Sequence, residues 1–264
     1  MKTLDMHTHA FPDGLAARAI GELERRNPVR SVGAGTVAAL LESMDRGGVD
    51  VAVVCAIATK PEQAESILAW CDAIRSERIV PFPSLHPDTP NAARRVERIV
   101  AEGFGGIKLH AMYQDFVIDD TRMDEIYAAA EACGLVIQFH CGQDFGWPAE
   151  DDRAAPARTA RVIERFPRLK AICAHMGGWR MWDASEADLV GKGVYFETSF
   201  SLNELSPERA AEMIRRHGAD RVFFGTDWPW ARHDEAVGLL ERLPITRAER
   251  DGIRWANAAR LLGL

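Results

Sequence analysis

No apolar stretch of the chain approaches the twenty or so residues needed to span a bilayer, because Gly, Pro or a charge interrupts every strand-like run within about ten. A membrane-spanning reading is excluded at this level. Positive charge is also in short supply: 32 Lys and Arg against 39 Asp and Glu give a formal charge of -7. A net negative field attracts neither nucleic acid nor an anionic lipid surface, so the expected partner is a small-molecule substrate. Cysteines are few, and Cys55, Cys71, Cys133, Cys141 and Cys173 lack the paired short spacings of a zinc knuckle. Buried, reduced thiols are expected, with Cys141 turned away from His140 by strand alternation. Low-complexity segments, Pro/Gly/Ser linkers and internal repeats are absent. The first strand is expected to begin by residue 3, which leaves no room for an export signal, so a soluble cytoplasmic protein is expected.

What is present is a rhythm. Short, near-continuously apolar runs cover residues 3–7, 49–58, 79–85, 106–110, 135–140, 170–175, 194–199 and 222–227, as buried parallel strands do. Helical patterns lie between them, with starts at Thr36, Thr89-Pro90, Asp120-Thr121 and Ser206-Pro207. Thr246-Arg247-Ala248-Glu249 is a capping box opening the C-terminal helical stretch. Eight strands alternating with helices in 264 residues predict an α/β fold of the (β/α)8 TIM-barrel type, one domain over residues 1–264. An open doubly wound sheet would advertise a Gly-rich first turn, whereas this one reads His-Thr-His-Ala-Phe-Pro.

In such a barrel the C-terminal strand ends share one face, and here they carry histidines: His7 and His9, His110, His140, His175, and finally Asp227. His7 and His9, two apart on a strand, present two imidazoles to one point. His140 and Asp227 complete a set suited to one divalent metal, Zn²⁺ by default, with Mn²⁺ or Fe²⁺ compatible with the same ligand types. His175 is the candidate base or substrate polariser, and Asp227 can both touch the metal and bond an attacking water. His217 and His233 read as helix-surface residues, and His86 falls on the same face as the strand-end histidines, either lining the pocket or as a solvated loop histidine. Lys108 shares strand parity with His110 and faces inward one layer deeper, where its ammonium needs a partner; Glu197 is the expected one.

Five of the seven tryptophans fall just past strand ends: Trp147, Trp179, Trp182, Trp228 and Trp230. A planar or apolar substrate is expected to meet them, with Arg180 and Arg232 available to a carboxylate. Substrate contacts are thus assigned to His110, Lys108, Trp147, Trp179, Arg180 and Trp228. The alternative is that the rings seal loops or a subunit interface, and homo-oligomerisation is left open.

Taken together, Asp5-Met6-His7-Thr8-His9, Gly106-Ile107-Lys108-Leu109-His110, Phe139-His140-Cys141-Gly142, Ala174-His175-Met176-Gly177-Gly178 and Gly225-Thr226-Asp227-Trp228-Pro229 resemble the amidohydrolase-related family of metal-dependent TIM-barrel enzymes. Its branch here includes aminocarboxymuconate-semialdehyde decarboxylase and related aromatic-acid decarboxylases. The resemblance runs from the first strand to the closing Asn257-Ala258-Ala259-Arg260-Leu261-Leu262-Gly263. It implies a mononuclear site with His7, His9, His140 and Asp227 as ligands and His175 as the catalytic histidine. A binuclear site built around a carboxylated Lys108 is the alternative within the wider superfamily. The chain is shorter than the decarboxylases and shows no obvious room for their insertions around the pocket. Two reactions are therefore carried: a metal-activated water attacking a small ester, lactone or amide, and, as the alternative, non-oxidative decarboxylation of an aromatic or unsaturated acid.

Overall fold

A computed structural model describes residues 2–264. Eight short strands appear in the expected order: β1 (Leu4–Thr8), β2 (Val51–Cys55), β3 (Ile79–Phe82), β4 (Gly106–Leu109), β5 (Val136–Phe139), β6 (Lys170–Cys173), β7 (Tyr195–Glu197) and β8 (Val222–Phe223). Helical segments separate them throughout. Thr36 and Ser206 cap their helices by accepting the N–H of Ala39 and Arg209, and the capping box at Thr246 and Glu249 forms as its sequence requires. The helix expected at Thr89-Pro90 starts later, at Ala92, because Asn91 takes a left-handed conformation in front of it. Among the described residues, no helix is long and apolar enough to cross a membrane.

The chain divides into two compact units. The first comprises residues 2–54, Ser76–Val80 and Phe196–Leu264. Within it, β1 pairs in parallel with β2 through Leu4 and Val51, and β7 pairs with β8 through Phe196 and Val222. The Met6 N–H donates to the Phe224 carbonyl and the Asp227 N–H to the His7 carbonyl, so the other edge of β1 lies along β8 and its continuation. Leu4, Met6, Ala52, Val53, Phe196, Phe223 and Phe224 are fully buried, as strands covered on both faces demand.

The second unit comprises Cys55–Arg75 and Pro81–Tyr195. Here β4, β5 and β6 form an unbroken parallel ladder, Leu109 beside Phe139 and Phe139 beside Cys173. Past the ladder the loops after β5 and β6 pair again, with Trp179 donating to the Cys141 carbonyl and Gln143 to that of Trp179. A side chain at Gly142 would run into the Trp179 backbone, so this close approach requires glycine.

Two histidines are not where the helical patterns put them. His233, expected at the surface, is buried at the first position of its helix, with Nδ1 2.8 Å from Ser43 Oγ and Nε2 3.3 Å from Asp5. His217 is fully buried, stacked on Phe196 at 3.9 Å. Four cysteines are buried as expected, but Cys133, the last residue of the helix Asp124–Cys133, is exposed.

Candidate metal centre and histidine cluster

In the first unit, His7 Nε2 lies 3.1 Å from His9 Nε2, and the two nitrogens stand 3.5 and 3.2 Å from Asp227 Oδ1. A metal about 2.1 Å from each of three ligands holds them about 3.0 Å apart at right angles and about 3.4 Å apart at tetrahedral angles. The observed triangle has those dimensions. His7 is 1% exposed, His9 12% and Asp227 15%, so the triangle is sheltered and still open on one side.

The lone pairs point the right way because other groups hold the rings. His7 Nδ1 is 3.0 Å from both Glu197 Oε1 and Ser199 Oγ. With its Nδ1 proton donated to that buried carboxylate, His7 keeps Nε2 as an acceptor for a cation and gains basicity there. Glu197 is fixed in turn by the Ser199 hydroxyl and N–H, at 2.8 and 2.6 Å. Gly225 makes room for this brace: a Cβ there would collide with Glu197 Oε2. Asp227 is placed by its N–H bond to His7, in a left-handed conformation (φ 67°) that costs a non-glycine residue energy.

In the second unit, His140 Nδ1 lies 3.1 Å from His175 Nε2, while His140 Nε2 donates to the Gln143 carbonyl at 2.9 Å. That leaves the His140 Nδ1 lone pair turned toward His175. His110 stacks on His140 at 4.0 Å with the rings 13° apart, and its Nε2 meets Asp144 Oδ2 at 3.1 Å. Burial, helped by the adjoining His110 and His175, holds His140 well below the usual imidazole range, so it stays neutral and able to donate its lone pair. His175 and the following Met176 both adopt left-handed backbone, at φ 59° and 54°. Lys108 is fully buried on β4.

Tyr113 meets His110 edge-on at 4.5 Å, and half-buried Trp147 meets Tyr113 at 4.8 Å. Trp179 packs on Phe145 at 4.4 Å, with the exposed Arg180 guanidinium 4.2 Å above it. These rings sit on the loops that follow β4, β5 and β6. Trp228 does not belong to an entrance: it is fully buried and its ring closes over Gly33, where a Cβ would lie 2.5 Å from it. Arg232 is a surface residue held by Asp234 and Glu235. Sequence reasoning missed Ser199 and Asp144, and found Glu197 without its role toward His7. Same-parity positions 197 and 199, and the four-residue spacing of His140 and Asp144, were the available signals.

Residues 4–264 match the amidohydrolase family profile. An alignment of 120 positions is 31% identical to a gamma-resorcylate decarboxylase of Polaromonas sp., covering 39% of this chain and 37% of that relative's length. An uncharacterised TIM-barrel protein of Bordetella bronchiseptica superimposes with TM-score 0.77 at 20% identity, over 100% of this chain and 99% of that one. A dihydroxybenzoic acid decarboxylase of Polaromonas sp., holding manganese and 2-nitroresorcinol, superimposes with TM-score 0.72 at 20% identity, over 100% and 97%. The fold is thus the (β/α)8 TIM barrel read from the strand rhythm. With its profile matched from the first strand to the last residue, this chain belongs to the amidohydrolase family.

Proposed function

We propose that the protein is a divalent-metal-dependent, non-oxidative decarboxylase of an aromatic or unsaturated carboxylic acid. The observation that carries the metal is the triangle of His7 Nε2, His9 Nε2 and Asp227 Oδ1, whose spacing suits one cation. Relatives and structural neighbours named as decarboxylases favour carbon–carbon cleavage over the ester, lactone or amide hydrolysis also expected from sequence. The ligand types suit Zn²⁺, and manganese in the neighbour makes Mn²⁺ an equal candidate.

A bound cation would supply positive charge to hold the substrate's oxygens and to stabilise negative charge developing in the reaction. The chain's own groups do the rest. Glu197 and Ser199 keep the His7 ring in register. His140, held neutral by burial, is the proposed fourth ligand on the strength of the motif resemblance. His175 holds the proton that passes to the carboxyl-bearing carbon; the carbon–carbon electron pair stays with the substrate skeleton and CO₂ departs. The partly exposed rings of Tyr113, Phe145 and Trp147 offer faces for a planar ring, and Arg180 offers a cation to its polar substituents.

The deciding experiment loads purified protein with Zn²⁺ or Mn²⁺ and supplies hydroxylated aromatic carboxylates beside esters, lactones and amides. CO₂ and the decarboxylated arene are expected from the first group, with no turnover of the second. Hydrolysis without CO₂ would overturn the reading.

A further inference from the structure

Behind the candidate metal centre, within the first unit, lies a cavity of about 160 Å³. Strand parity separates it from the metal triangle. On the β7 edge Glu197 and Ser199 turn to His7, whereas Thr198 between them lines the cavity. The walls are mostly apolar: Val32, Phe200, Leu202, Trp230 and Leu239. The hydroxyls on the wall are engaged internally, Thr198 with the Gly225 backbone and Thr226 with Asp5. Two features set this place apart from a packing gap. Val32 is a large apolar side chain left 43% exposed, and Phe200 is held in left-handed backbone at φ 49°.

We propose that this cavity is a second binding site, for an uncharged single-ring arene of the phenol class. Size sets the ring count: an engineered apolar cavity of about 150 Å³ in another protein takes up benzene. Charge selects against carboxylates. The one cation on the wall, Arg232, is held at 3.0 and 2.6 Å by Asp234 and at 3.3 Å by Glu235, so its charge is already matched by carboxylates. A benzoate would find that guanidinium occupied and the Glu235 carboxylate on the wall repelling it, whereas a neutral phenol carries no charge to repel. The amide of Asn203, exposed on the same wall, suits a phenolic hydroxyl. Binding here requires neither metal nor turnover, so the inference stands apart from the reaction proposed above.

The test uses metal-loaded protein and 4-bromophenol, with 4-bromobenzoate as comparator. Crystals soaked in 4-bromophenol should show a bromine anomalous peak between Phe200 and Leu239. In solution Ala236→Phe, which fills the cavity, should weaken the calorimetric binding of 4-bromophenol by about tenfold or more at unchanged metal content. If Ala236→Phe fails to fold, Leu239→Phe takes its place, and the anomalous peak decides on the unaltered protein. No bromine in the cavity, undiminished binding in the folded filled variant, or equal affinity for 4-bromobenzoate would overturn the proposal.

Discussion

The two histidine groups differ in what holds them. In the first unit His7 and His9 converge with Asp227 on one point, and a buried Glu197 fixes the tautomer from behind. In the second unit His110, His140 and His175 are stacked and bridged to one another, and His140 is tied to a backbone carbonyl. A carboxylate behind an imidazole makes a better cation ligand. Burial, with two further imidazoles beside it, keeps His140 neutral, and the carbonyl that takes its Nε2 proton leaves the Nδ1 lone pair available. The first arrangement suits holding a cation; the second sets a neutral His140, with a lone pair to give, beside the proposed proton carrier His175.

The contrast breaks most sharply at Asp227. Asp227→Asn removes the anionic ligand and should cost the protein its metal, with activity falling at least about 10⁴-fold. Metal analysis beside the CO₂ assay checks both, and a metal-replete, active variant would refute the assignment. His175→Asn should instead retain metal while activity falls about 10³-fold. Loss of metal in that variant would make His175 a ligand. Glu197→Gln tests the brace: metal affinity should drop about 10–100-fold, measured by competition with a chelating dye, with the fold intact by circular dichroism.

The smallest effect concerns thiols. Burial pushes Cys71 up to about 12 and Cys173 well above the ordinary thiol range, so neither supplies a thiolate near pH 8. An aromatic disulfide reagent should therefore find one fast-reacting thiol, Cys133, and the remaining four only after denaturation. Cys133→Ser should abolish the fast phase without changing activity.

Much of this was legible in sequence because apolar runs and strand ends are local signals. Seven of the eight strands fall inside the expected runs, and β1 oversteps its run by one residue at Thr8. β8 stops at Phe223 rather than continuing to Asp227, because the chain must leave extended geometry to reach the left-handed Asp227. What resisted reading depends on neighbours far along the chain. His233 is buried by Asp5 and Ser43, and His217 by Phe196, which helical periodicity does not encode. Trp228 was expected at an entrance because it follows a strand end, yet Gly33 lets its ring close into the core. The partner of His7 was equally hidden, since 190 residues separate it from Glu197.

Gly225 has a consequence for anyone redesigning this protein. One side of that residue abuts Glu197 and its backbone also lines the apolar cavity. A single hydrogen atom in place of a methyl group is thus the spacer between the metal brace and the space behind it. Enlarging, filling or relocating the cavity can start from Ala236 or Leu239, but residue 225 has no spare dimension: any side chain there would be felt first as a loosened imidazole.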